Sequence, residues 1–142
     1  MIWRPGWSRT LPVAMALTVA CAGFRAPQAP VPAGLSQVNW HLVTLDGRSP
    51  VVSTTGLDLS LKLAADLGAS GYAGCGQFGA VATINGDSLR LGALTSQDLD
   101  CSGNRTLERV YLAALASTDR FEVSPDSLVL FQGGEPGLVY KR

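Results

Sequence analysis

The chain has 142 residues, enough for one domain, and 46% of them are hydrophobic against 15% charged, so a buried core is affordable in composition. Its 11 basic and 11 acidic residues cancel. That balance gives no reason to expect nucleic acid as a partner, because phosphate recognition needs clustered Lys and Arg. Sixteen glycines and only 7% aromatic residues accompany many short apolar runs, a composition of β-rich chains.

Residues 1–20 are read as a secretory signal. Arg4 and Arg9 lie in a start without acids, and Leu11 to Phe24 is an apolar run of 14 residues. A spanning helix needs about 20, so this run is too short for a permanent anchor. Leu17-Thr18-Val19-Ala20-Cys21 resembles a lipobox, the processing site of bacterial lipoproteins. Small residues precede a cysteine whose thiol would be acylated. Thr18 stands where Leu is usual. A rival reading is ordinary secretory cleavage after Ala20-Cys21-Ala22, which would release a soluble protein. Removing residues 1–20 leaves 9 basic and 11 acidic groups, a net charge of −2. Residues 21–37 form the expected tether, in which Pro27, Pro30 and Pro32 favour an extended chain.

With Cys21 acylated, Cys75 and Cys101 remain as a pair. In an oxidising exported compartment a disulfide is the default. Two buried free thiols are the alternative. A metal site is poor, since there is no CxxC and His41 is the only histidine.

From residue 38 onward the pattern is that of strands. Val38, Trp40, Leu42 and Thr44 share one face, with Asn39, His41 and Val43 opposite. Asp46-Gly47 predicts a turn. Leu57, Leu59, Leu61 and Leu63 alternate with Asp58, Ser60 and Lys62, a half-buried strand of period two. Ala69 to Gly74 is a further strand candidate. Val81–Ile84, Asn85-Gly86 and Ser88–Leu91 predict a hairpin with its turn at Asn-Gly. Leu107, Val110, Tyr111, Ala114 and Leu115 then fall at helical spacing, with Asn104 as N-cap. Strands resume at Arg120–Val123, Ser127–Phe131 and Leu138–Lys141. The expected architecture is a small, mainly β, antiparallel barrel-like sheet with one packed amphipathic helix.

The residues resemble the META domain, also called HslJ-like. The resemblance runs from Trp40 to Arg142. It rests on Trp40-His41-Leu42 with Leu45-Asp46-Gly47, Gly71-Tyr72-Ala73-Gly74-Cys75 with Phe78 and Gly79, Leu94 to Cys101, Glu108 with Tyr111, Ala114 and Leu115, and Leu138 to Arg142. Three positions depart from the family pattern: Gly76, Gln97 and Asp100. The resemblance implies a β-barrel-like domain at 38–142 and an exported or lipid-anchored protein without an established reaction.

The candidate sites are weak. Gly74-x-Gly76-x-x-Gly79 matches a dinucleotide fingerprint, but a helix must start there and the continuation reads as a strand. No nucleotide is expected. Asp98 and Asp100 read as solvated loop acids, and His41 as exposed and away from Trp40, with no GxSxG to supply a nucleophile. The expectation is therefore no catalytic, cofactor or metal residue. The protein would be an envelope module on a lipid at Cys21, with the membrane and an envelope protein or lipid as partners. The alternative function is a secreted envelope hydrolase.

Overall fold

The computed structural model describes Gly23 and residues 31–49, 58–97 and 105–142. Eight strands follow one another around a closed antiparallel sheet: β1 (Trp40–Leu45), β2 (Ser60–Leu63), β3 (Gly68–Tyr72), β4 (Gln77–Asn85), β5 (Ser88–Ser96), β6 (Arg120–Val123), β7 (Ser127–Gln132) and β8 (Glu135–Lys141). Closure comes from β1, which pairs with β2 through Trp40↔Leu61 and with β8 through Leu42↔Tyr140. One helix, α1 (Arg105–Ala116), joins β5 to β6 and lies against β5. The ladder between β5 and β6 is a single pair, Ser88↔Arg120.

The alternation read from the sequence determines which side chains go inside. Leu59, Leu61 and Leu63 are buried while Ser60 and Lys62 face outward. Phe78, Ala80, Ala82 and Ile84 do the same on β4. Eight strands enclose a space just wide enough for side chains to fill. Trp40, Leu61, Leu63, Leu89, Leu128 and Leu138 are all at 0% exposure, so none touches a water-sized void.

Three details differ from the expected pattern. On β1 the register shifts between Leu42 and Thr44, so Leu45 and not Thr44 completes the inward set after Trp40 and Leu42. A bulge adds one residue and inverts the alternation beyond it. The β4–β5 turn is Gly86-Asp87, because Asn85 still pairs with Ser88. Gly86 has φ +62 and no positive φ occurs at Asp87, the φ pattern of a type II′ turn with glycine first. On α1 the buried residues are Tyr111, Ala114 and Leu115, while Val110 is 44% exposed. The apolar stripe is narrower than its sequence spacing, with Leu107 and Leu112 flanking it. Asn104, the expected cap, lies outside the described residues.

Packing begins upstream of β1, inside the segment read as tether. Leu35 is fully buried, its carbonyl accepts from Trp40 Nε1 at 3.3 Å, and Gln37 N donates to Leu63 O at 2.8 Å.

Candidate functional site

The first half of the barrel ends in an irregular corner built by β2, β3, β4 and α1. At the start of β2 Ser60 still pairs with His41 on β1, but its main chain leaves the ladder with β3. Its carbonyl accepts the Tyr111 hydroxyl at 2.8 Å, and its Oγ takes over as acceptor for Tyr72 N at 2.9 Å. Gly71 sits against this diverted carbonyl: a Cβ there would lie 2.1 Å from Ser60 O. Only glycine allows the two backbones to approach so closely.

Tyr111 is fully buried and also meets the Tyr140 hydroxyl at 2.9 Å. Each hydroxyl has one proton to give. Tyr111 spends its own on Ser60 O, so Tyr140 donates to Tyr111. Burial pushes both phenols well above the ordinary tyrosine value. The pair therefore stays neutral, as a structural hydrogen-bond chain. Phe78 packs edge-on against Tyr111, with ring centroids 5.9 Å apart.

The β3–β4 connection is held from above by α1. Glu108 Oε2 accepts from Cys75 N and Gly76 N, each at 3.2 Å. Glu108 lies off the buried stripe of α1 formed by Tyr111, Ala114 and Leu115. The structure uses it as an anion that closes the glycine-rich turn, a role visible only once α1 and the turn are in contact. Gly74 to Gly79 runs directly into β4, with no helix at the glycines. The dinucleotide geometry is thus not formed, since its phosphate contacts come from a helix N-terminus.

The other expected residues fall as follows. His41 points outward; its Nδ1 is 3.8 Å from Asp58 Oδ2, and the two side chains are 52% and 65% exposed. Ser60 lies across the ladder from His41, but its Oγ is turned to Tyr72 N on the far side. Cys75 is buried at the corner. Cys21, Asp98, Asp100 and Cys101 lie outside the described residues. Among the described residues no three His, Cys, Asp or Glu side chains converge as metal ligands.

A cleft of about 200 Å³ opens on the outer face of β1–β4 beside this corner. That is below the roughly 300–1,000 Å³ of sites for drug-sized ligands. Lys62 supplies its positive charge, Ser60 and Ser70 supply hydroxyls, and Asn39 and Gln77 supply carboxamides. Tyr72 forms an aromatic wall, its ring fixed by a 3.0 Å hydrogen bond from its hydroxyl to Gly74 O. The signal in the sequence was the outward phase of Ser60 and Lys62. Alternation alone could not bring Asn39 and Gln77 beside them.

The fold and its corner define a class: closed eight-stranded antiparallel barrels with one helix between the fifth and sixth strands. The sequence profile of the META domain matches residues 33–142, and the chain belongs to that family. Two solved structures, both determined by NMR, are similar to it. One, a protein from Burkholderia xenovorans, has 26% identity and a TM-score of 0.63, over 82% of this chain and 91% of the other. The second has 16% identity and a TM-score of 0.61, over 78% and 93%. It shares the fold. No curated protein matches the chain.

Proposed function

We propose that the protein is a lipid-anchored envelope module that works by binding through the outside of its barrel, without catalysing a reaction. The observation that carries this reading is the filled interior. Trp40, Tyr111 and Tyr140 occupy the space where other barrels hold ligands, each at 0% exposure. Contacts with other molecules then fall to the outer face, where the Lys62 cleft lies. The address rests on Cys21 and its lipobox-like context, with the apolar run too short to span a bilayer. The chain from Cys21 to Val31 then links the acylated residue to the barrel. In this reading Cys75 and Cys101 form a disulfide. In its favour, Cys75 is buried, as half-cystines of small exported domains are.

Mass spectrometry of the mature amino terminus tests the address. The expected result is a chain starting at Cys21 with the added mass of acyl groups, and Cys21→Ser moving the protein out of the membrane fraction. A mature chain starting at Gly23 would overturn it. Intact-mass comparison before and after reduction tests the pairing. A loop of this length should stabilise the fold by about 3–4 kcal/mol, so the reduced protein should unfold at lower urea.

A further inference from the structure

The cleft on β1–β4 combines features that together specify a ligand class. Lys62 lies among hydroxyls and carboxamides, and among the described residues no carboxylate lines the cleft with it. Among the described residues Lys62 makes no ion pair. A negatively charged group held there would give Lys62 a charge-assisted partner. Ser60 Oγ accepts from Tyr72 N, which leaves its own proton to donate. Asn39, Ser70 and Gln77 each offer both donors and acceptors. Such a set matches a ligand rich in hydroxyls, which both give and take hydrogen bonds. Tyr72 adds a flat apolar face held in place before any ligand arrives, because its hydroxyl is tied to Gly74 O. The volume of about 200 Å³ admits one ring-sized unit and not an oligomer.

The geometry points to a site for a single sugar residue bearing a carboxylate, with the carboxylate on Lys62, the ring against Tyr72 and the hydroxyls on Asn39, Ser70 and Gln77. A phosphate monoester fits less well. It carries nearly two charges against one cation. A neutral sugar would leave Lys62 without its counter-charge, and an apolar ligand would strand the amides and hydroxyls. This inference deepens the binding role proposed above and rests on it.

The probe is glucuronate, with glucose and acetate as controls, titrated into the mature chain carrying Cys21→Ser. Backbone amide shifts by NMR give the site, and the address experiment is independent of this readout. At a typical efficiency per ligand atom a unit of this size binds with a Kd of about 1 mM. Glucuronate should shift the amides of Asn39, Ser60, Lys62, Ser70, Tyr72 and Gln77. Lys62→Met should weaken it roughly tenfold while leaving glucose unchanged. Asn39→Ala, at an exposed position, should weaken both sugars. Acetate that shifts the same amides with equal affinity would overturn the sugar assignment. Shifts elsewhere, or none at about 50 times that concentration, would overturn the site. Urea midpoints for both variants show whether a loss reflects the cleft or the fold.

Discussion

The Tyr111 hydroxyl donates to the Ser60 carbonyl at 2.8 Å, and this bond joins the helix to β2 where its ladder with β3 lapses. Tyr111→Phe leaves Ser60 O without its donor and Tyr140 without its acceptor. An unsatisfied buried polar group costs about 1–3 kcal/mol. Tyr140→Phe removes only a bond that Tyr111 accepts, so its expected cost is about 1 kcal/mol. Urea midpoints should therefore fall further for Tyr111→Phe. Equal losses would contradict the donor order assigned here.

Both phenols are held above the free value of 10.0 by burial. The sign follows directly. Folded protein keeps these protons where unfolded protein releases them, so their contribution is complete below pH 10 and is lost as the pH climbs above it. The slope is about 1.4 kcal/mol per pH unit for each tyrosine. Denaturant titrations on either side of pH 10 should show this decline, and Tyr111→Phe should remove one of its two parts.

Gly71→Ala should be severe. Its new methyl would meet Ser60 O at 2.1 Å and Ser60 C at 2.7 Å, both main-chain atoms. Overpacking against backbone costs about 3 kcal/mol or more. Gly92→Ala provides the contrast, since nothing lies within 4 Å of a Cβ there and its φ is not positive. Its midpoint should stay within about 0.5 kcal/mol of the parent.

Glu108→Ala would free the amides of Cys75 and Gly76 at the turn. Charge-assisted bonds to a part-buried carboxylate are worth about 1.5–3 kcal/mol. Hydrogen exchange at those two amides should quicken far more than at Ala82 in the middle of β4. Glu108→Gln keeps an acceptor and should sit between parent and alanine variant.

Much of the fold could be read from residue order. Period two on Leu59–Leu63 set the inward face of β2, and Arg120–Val123 matches β6 at both ends. The failures share one cause, a local irregularity decided by a neighbour. The bulge after Leu42 follows from pairing with Val139 and Tyr140, residues about a hundred positions away. The shift of the hairpin turn to Gly86-Asp87 was within reach, since glycine suits the first position of a II′ turn as well as the second of a I′ turn. Leu35 was hidden by the prolines before it. Its burial depends on Trp40, whose indole N–H needs a carbonyl once inside. Of the site, Tyr72 and Glu108 were visible as family positions and Lys62 as an outward residue. Their convergence required the closed sheet.

The order of the strands has a kinetic side. Every neighbouring pair in the sheet is consecutive along the chain except β1 with β8. Hairpins such as β4–β5 and β7–β8 close short loops, which is entropically cheap, whereas β1–β8 must bring the two ends of the domain together. Ring closure should then be the last event on the folding path. Truncating Leu42 or Tyr140 should speed unfolding and hardly slow folding, while Ile84 and Leu89, facing each other across β4–β5, should do the reverse. During synthesis the sheet would stay open and curling until β8 emerges to clasp β1.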